Sequence, residues 1–500
     1  MGEPASPRTA SLLNRTAIFL AVLGLVWRVA VSGAVAGTGT NLAIHLLFWL
    51  AAAVVFLARA LGGASPWPLT GVEFPLLALG AAALASALGA SYLLPALEYA
   101  FAFLSFALLL AVATPTFGKT AALSTLLALL PLLALYAWAQ YFFYFPRLIE
   151  EYDPRLFGPL TRDLEARLRG REVFATFLGP NQFAGFLALT IPLSAGAALD
   201  ARRGGARAWA PWAAGAALGF LALTRTGSLG AWVSLGAGGV AFAGLALTRR
   251  RGRAALIAAA GATGAVLLAL TVFGPLLEKV SAASPSIYCR RVYWEAAVRT
   301  AARAPILGVG LGNYEEYFGQ LKSDAQQESS KVHNDYLQLL AETGIVGFLS
   351  FSALVGFVLS RALRREASPV PDPPGAADGI VWPAAGTLGF LLAWLSGGPL
   401  PVGGAIFLAI GWALGWILTG PARRAWREAA GAWTRPGAAA GLVAFLLHMA
   451  VEFDLYEMGT AAVFFLALGV NVLLAGPAAS LNFPRGAAAA AAGAARRVAV

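Results

Sequence analysis

His333-Asn334-Asp335-Tyr336-Leu337-Gln338-Leu339-Leu340-Ala341-Glu342-Thr343-Gly344-Ile345-Val346-Gly347 opens as a polar, hydrated segment and turns into an apolar run that continues to residue 361. A run of that length and polarity spans a bilayer, so this stretch sets the solvent for the fold. It also places a titratable imidazole where a membrane helix meets water. The chain has only three histidines in 500 residues, which narrows the chemistry open to it.

The rest of the chain has the same character. It is 59% hydrophobic and 12% charged, with mean hydropathy +0.71, against about 25% charged in soluble domains. Net charge is +11. A basic chain can mean nucleic acid, but here the arginines lie between apolar runs, where topology signals belong. The single cysteine, Cys289, excludes an internal disulfide and a Cys-based metal cage. Residues 16–36 read as a retained first helix, because no short apolar core with a small-residue cleavage site precedes them.

Apolar runs of spanning length fall near 16–36, 41–60, 73–91, 95–114, 122–144, 178–199, 207–224, 228–248, 254–275, 336–361, 380–396, 400–419, 437–453 and 459–476. Backbone amides in lipid need internal partners, so the runs must be helical. The expected fold is all-α, a polytopic membrane bundle of about 12–14 spans, with the pair at 380–419 read as two short spans or one re-entrant hairpin. With the N-terminus cytoplasmic, Arg59, Lys119, Arg202, Arg203, Arg207, Arg249 to Arg253, Arg361 to Arg365, Arg423 to Arg435 and the tail arginines all fall on one side. The opposite loops at 37–40, 92–94, 397–399 and 454–458 hold no Lys or Arg. That asymmetry predicts cytoplasmic N- and C-termini.

The organisation follows. Residues 1–144 carry five spans. Residues 145–177 are expected as an amphipathic helix on the outer surface, with Leu148, Leu156, Leu160, Leu164 and Leu168 along one face. Residues 178–361 form a core interrupted by the polar outer loop 276–335, with a helix expected at 289–303. Residues 362–436 are a cytoplasmic loop and an extra helical pair, 437–476 the last two spans, and 477–500 an Ala-rich disordered tail.

Several side chains on the outer side can carry chemistry. His333 suits a general base, and equally a helix-capping residue. Asn334 and Asp335 are good N-cap types that start the helix directly after it. Glu342 lies below the interface, where a carboxylate is costly unless paired; it reads as a catalytic group or as a structural partner. Gly344 and Gly347 are expected to allow a close helix crossing. Arg290 and Arg291, in Tyr288-Cys289-Arg290-Arg291-Val292-Tyr293-Trp294, suit a diphosphate or lipid headgroups. Arg225 is the sole charge between two spans and suits an anion or an outer headgroup. Gly308-Val309-Gly310-Leu311-Gly312 reads as a tight loop, because no strand precedes it. Asn181-Gln182 sits at the mouth of a span. His448 and Glu452 are placed one turn apart, with Asp454 beyond; one His with carboxylates is too few ligands for a metal site, and no metal or cofactor is expected.

Together these residues resemble the O-antigen ligase and O-antigen polymerase superfamily of bacterial inner-membrane proteins. His333-Asn334, nine residues, Gly344, two residues and Gly347 match its ligase signature in full. Arg290 to Trp294, Pro305-Ile306-Leu307-Gly308-Val309-Gly310 and His448 to Phe453 look like further family segments. The likeness covers about 173–360 and 437–476. It departs at Ser228-Leu229-Gly230, where relatives often carry Ser-Arg-Gly, and at 380–419, which looks like an insertion.

The resemblance implies a glycosyltransferase working on the periplasmic face, without metal. The donor would be a glycan on a polyprenyl (undecaprenyl) diphosphate. The acceptor would be a lipid such as a lipid A-core glycolipid, as in lipopolysaccharide biosynthesis. His333 would be the base, Asn334 or Glu342 would orient it or the acceptor, and Arg290, Arg291 and Arg225 would hold the diphosphate. A polymerase extending the lipid-linked chain and a protein O-oligosaccharyltransferase are the alternatives. A lipid or solute transporter is disfavoured, because no internal repeat is found.

Overall fold

The computed structural model describes residues 7–31, 37–61, 71–112, 118–153, 162–247, 285–362, 381–397, 401–420, 423 and 431–476. Regular structure among them is entirely helical, as backbone that must bond internally in lipid requires. The helices are α1 (Pro7–Ala30), α2 (Thr38–Leu61), α3 (Glu73–Ala87), α4 (Leu93–Val112), α5 (Gly118–Ala139), α6 (Phe145–Glu151), α7 (Arg162–Gly170), α8 (Pro180–Ala201), α9 (Ala206–Leu223) and α10 (Leu229–Leu247). They continue with α11 (Pro285–Arg303), α12 (Tyr314–Leu321), α13 (Asp335–Ala362), α14 (Val381–Leu395), α15 (Val402–Leu418), α16 (Thr434–His448) and α17 (Met458–Ala475).

Thirteen of the fourteen expected spans coincide with helices. The ninth, 254–275, lies outside the described residues, as does the tail 477–500. Eight described helices are long and apolar enough to cross a membrane, and α3, α14 and α15 are apolar but shorter. The 380–419 region is two helices, α14 and α15, whose Trp382 and Trp412 rings stack 4.0 Å apart.

The most enclosed helix is α17, buried from Gly459 to Ala475 and packed against α1, α4, α5, α8, α13 and α16. Small residues bring α8 and α16 together. A Cβ at Gly437 or Gly441 would fall 2.5 or 2.0 Å from the carbonyl oxygens of Pro192 and Leu189, the close approach that membrane helices use when lipid gives no hydrophobic drive to associate. Outward faces carry exposed Leu46, Leu50, Phe56, Val233 and Val240. Water would not tolerate such faces over so many helices, whereas lipid does.

Polar contacts tie the connecting segments together at both ends of the helices. At one end, the Asp200 carboxylate accepts from Thr434 N at 2.7 Å, and Arg435 donates to the carbonyls of Ala362 and Arg361. At the other, Thr176 Oγ1 donates to the Val29 carbonyl at 2.6 Å, Tyr92 N to Asn313 Oδ1 at 2.7 Å and Val173 N to the Arg225 carbonyl at 2.9 Å.

Two expectations change in detail. Residues 145–177 are not one surface helix. They hold α6 and α7, with 154–161 outside the described residues, and Leu148 and Leu168 pack into the bundle core. The segment is anchored by Gln140, whose side chain bonds both N and O of Ala175 at 2.8 Å. Second, α13 is not one straight helix: Gly344 breaks it with φ 62° and ψ −168°, a conformation open essentially to glycine alone. The break lets the 305–310 loop join the helix backbone. Val309 N and Gly310 N donate to the carbonyls of Ala341 and Glu342, and Ile345 N donates to that of Pro305. The glycine at 344 therefore serves a loop-to-helix joint rather than a helix crossing.

Candidate active site

His333 precedes α13 in a left-handed conformation, φ 52°, which a non-glycine residue adopts only when its surroundings hold it there. Those surroundings are specific. Asn334 Oδ1 caps the helix by accepting from Leu337 N at 3.1 Å. Gln338 reaches back to accept from Val332 N at 3.0 Å. Trp294 of α11 donates its indole N–H to the His333 carbonyl at 3.3 Å. The imidazole stacks on Tyr293 and meets Phe453 edge-on at 4.8 Å between centroids.

Its partner is Glu452. His333 Nδ1 lies 3.0 Å from Glu452 Oε2, on a carboxylate that is 1% exposed. Arg290 of α11 donates one guanidinium N–H to Glu452 Oε1 and its Nε–H to the Val451 carbonyl, at 3.1 Å. Asn181 and Gln182, on the first turn of α8, donate at 2.7 and 3.4 Å. Burial opposes ionisation of this carboxyl. The His333 hydrogen bond and charge, with Arg290 and His448, outweigh burial and hold its pKa down, from the usual 4.5 to about 2. Four segments distant in sequence thus meet on one buried anion.

A ring that directs its Nδ1–H at Glu452 leaves Nε2 able to accept a proton. The His333 side chain is 27% exposed, so it is open to solvent. A buried carboxylate in this position can hold the ring's orientation and stabilise an imidazolium. Arg290, with 21% of its side chain exposed, presents positive charge beside the same ring.

The sequence-predicted residues divide. His333 and Arg290 come together. Arg291 does not join them: its Nε donates to Glu295 at 2.9 Å along α11, because adjacent helical residues point in different directions. Arg225 is exposed at the end of α9 and lies over Tyr141, 4.8 Å from the ring centroid; Arg171 lies over the same ring at 5.4 Å. Asn334 is the helix cap. Glu342 is fully buried and accepts from Gly312 N at 2.9 Å, Tyr314 N at 3.2 Å and Gln338 Nε2 at 3.3 Å. Its bonds therefore anchor the glycine loop.

Asn181 and Gln182 stand out in the sequence without a role, and Glu452 only as a carboxylate that, with Asp454, could orient a cation. The signal that could have found Glu452 was an acid at a membrane boundary with no basic residue near it in sequence. His448 and Glu452 are not a helical pair, because α16 ends at His448. His448 instead bonds Asp454 Oδ2 at 2.6 Å through Nδ1, with Ser228 Oγ 3.4 Å from Nε2. That buried relay ties α10 to the loop carrying Glu452.

The fold and site define a polytopic helical membrane protein with a basic, imidazole-bearing site at one end of the bundle. Residues 214–352 match the family model described as O-Antigen ligase. The match takes in Arg225, Arg290, His333 and Glu342, while Glu452 lies beyond it. Comparison with curated proteins gives no match, nor does comparison with solved structures.

Proposed function

We propose that the protein is a glycosyltransferase of the O-antigen ligase type, moving a glycan from a polyprenyl diphosphate to a hydroxyl-bearing lipid acceptor on the periplasmic face of the bacterial inner membrane. The observation that carries this reading is the convergence of His333, Glu452 and Arg290. A base, the anion that orients it and a cation for a leaving group are what transfer from a glycosyl diphosphate needs.

In this reading the acceptor oxygen attacks the anomeric carbon from the face opposite the diphosphate. The new C–O bond forms as the bond to the diphosphate oxygen breaks, and configuration inverts. The diphosphate leaves with the bonding electrons, and Arg290 turns from Glu452 toward its growing charge. Arg225, on the rim beside Arg171, supplies a second contact. His333 Nε2 takes the acceptor proton while Glu452 holds the imidazolium. Glu342 acts by positioning, through the loop it anchors, and Arg291 is left to the helix surface.

The test is a gene deletion followed by inspection of the lipid-linked glycan pool and the surface glycan. Finished long chains accumulating on the carrier are the expected result. Single repeat units accumulating would assign the polymerase reaction instead. An unchanged pool and surface glycan would remove both.

A further inference from the structure

Asp335 begins α13 two positions after His333 and is 0% exposed. It is a good capping type, yet Asn334 caps the helix. The Asp335 carboxylate turns instead to the segment between α16 and α17. Its Oδ2 accepts from Leu455 N at 2.9 Å, and its own N–H donates to the Met449 carbonyl at 2.8 Å. One residue therefore grips the 449–455 turn at both ends. Tyr336 adds a third tie, its hydroxyl donating to the Leu446 carbonyl at 2.7 Å. Glu452 sits midway between the two grips of Asp335.

The turn has internal ties as well. Val451 N donates to the His448 carbonyl at 3.0 Å, and the His448–Asp454 bond crosses its base. Gly185 of α8 packs so close that a Cβ there would fall 2.5 Å from Asp454 Oδ1. These contacts set the turn's shape, whereas Asp335 and Tyr336 set where it stands against α13. That register matters, because His333 and Glu452 belong to the two elements Asp335 joins. A slip of about 1 Å would carry the 3.0 Å contact between His333 Nδ1 and Glu452 Oε2 out of hydrogen-bonding range. His333 is also held in a left-handed conformation, φ 52°, which relaxes when its surroundings loosen. Burying Asp335 is costly: Asp454 and Glu452 bear on it with like charge, and its Oδ1 has no hydrogen-bond partner among the described residues. A carboxylate buried at a membrane boundary at such cost points to function.

We infer that Asp335 is a positioning residue: it fastens the start of α13 to the 449–455 turn and so keeps His333 and Glu452 in hydrogen-bonding register. Its effect on rate rests on the transferase reading; its effect on the imidazole does not.

The measurement is solid-state NMR of the full-length protein in bilayers with isotope-labelled histidine rings. The chain has three histidines, so the His333 signal is identified by its loss in His333→Ala. Wild type should hold the Nδ1–H tautomer, because the bond to Glu452 decides which nitrogen carries the proton. Asp335→Ala should convert the ring to the tautomer mixture shown by Glu452→Ala. Asp335→Asn, of the same shape and with an acceptor for Leu455 N, should keep the wild-type tautomer. Asp335→Ser draws the polar group back by one bond and should fall between; it and the Asn variant carry the test if Asp335→Ala does not insert. In transfer assays Asp335→Ala should lower kcat by about 100-fold, the cost of a misplacement of about 1 Å, and leave both KM values unmoved. Combined with Glu452→Ala it should add no further loss, as for residues acting through one bond. A wild-type tautomer in the Ala or Ser variant, loss of it in the Asn variant, or additive losses of rate overturn the assignment. The transferase reading fails on a different result, absence of transfer by wild type, which leaves the tautomer measurement standing.

Discussion

Glu342, at the break in α13, and Glu452, in the loop between α16 and α17, are carboxylates 0% and 1% exposed at the same end of the bundle. Their partners differ in balance, with backbone amides prominent for one and side chains for the other. Glu342 accepts from the backbone amides of Gly312 and Tyr314 and from Gln338. Glu452 accepts from the side chains of His333, Arg290, Asn181 and Gln182. Backbone amides are fixed in place, so a carboxylate facing them holds architecture. Side chains can change partners, so a carboxylate facing a base and a cation can take part in a reaction cycle. Burial alone does not distinguish these roles; the partners do.

Mutations can break that contrast. The largest effect is expected at His333. His333→Ala should lower transfer by about 100- to 10,000-fold, the contribution of a general base, with normal insertion and folding; full activity in the variant would remove the imidazole from the mechanism. Glu452→Gln comes next. It should lower kcat by about 100-fold, because the ring loses its orienting anion. Glu342→Gln should do the reverse, costing about 1–3 kcal/mol of stability for a buried acceptor lost. Activity per folded molecule should stay near wild type, as read by detergent unfolding beside transfer rate. The smallest effect belongs to Arg291→Ala, a part-exposed pair along one helix worth about 0.3–0.5 kcal/mol. Its transfer rate should remain within about twofold of wild type, which is within the scatter expected of a surface contact; a large loss would return Arg291 to the diphosphate site.

Acid provides an independent handle. Glu452 has a folded pKa of about 2, against its usual 4.5. A depressed carboxyl contributes stability that is complete above the unfolded value and lost as pH falls through the folded one. The stability difference between wild type and Glu452→Gln should therefore shrink as pH falls below 4.5. A difference that grew on acidification would contradict the ion-paired state.

Most of the fold was legible because bilayer-spanning helices announce themselves by length and polarity. Every described helix that fills an expected span illustrates this. The joint at Gly344 was not legible: a glycine in an apolar run fits helix packing as well as helix breaking, and only the 305–310 loop lying against it decides. The site was half legible. His333 and Arg290 stand out by rarity and spacing. Glu452 does not, because its partners are 119 and 162 positions away and no local pattern encodes a contact at that separation. Arg291 shows the opposite limit, since adjacency in sequence is not adjacency on a helix, and it pairs with Glu295 along α11.

The break at Gly344 also sets how the protein fits its bilayer. Unbroken, the 28 residues of α13 would run about 42 Å at 1.5 Å per residue, well beyond a hydrocarbon core of about 30 Å. The portion after the break, 345–362, is about 27 Å long and needs little tilt to match. The first turns belong mechanically to that end of the bundle, and they carry the 305–310 loop and His333 with them. A thicker or thinner membrane can then tilt the lower segment and be absorbed at the glycine, leaving the distance between His333 and Glu452 as it was.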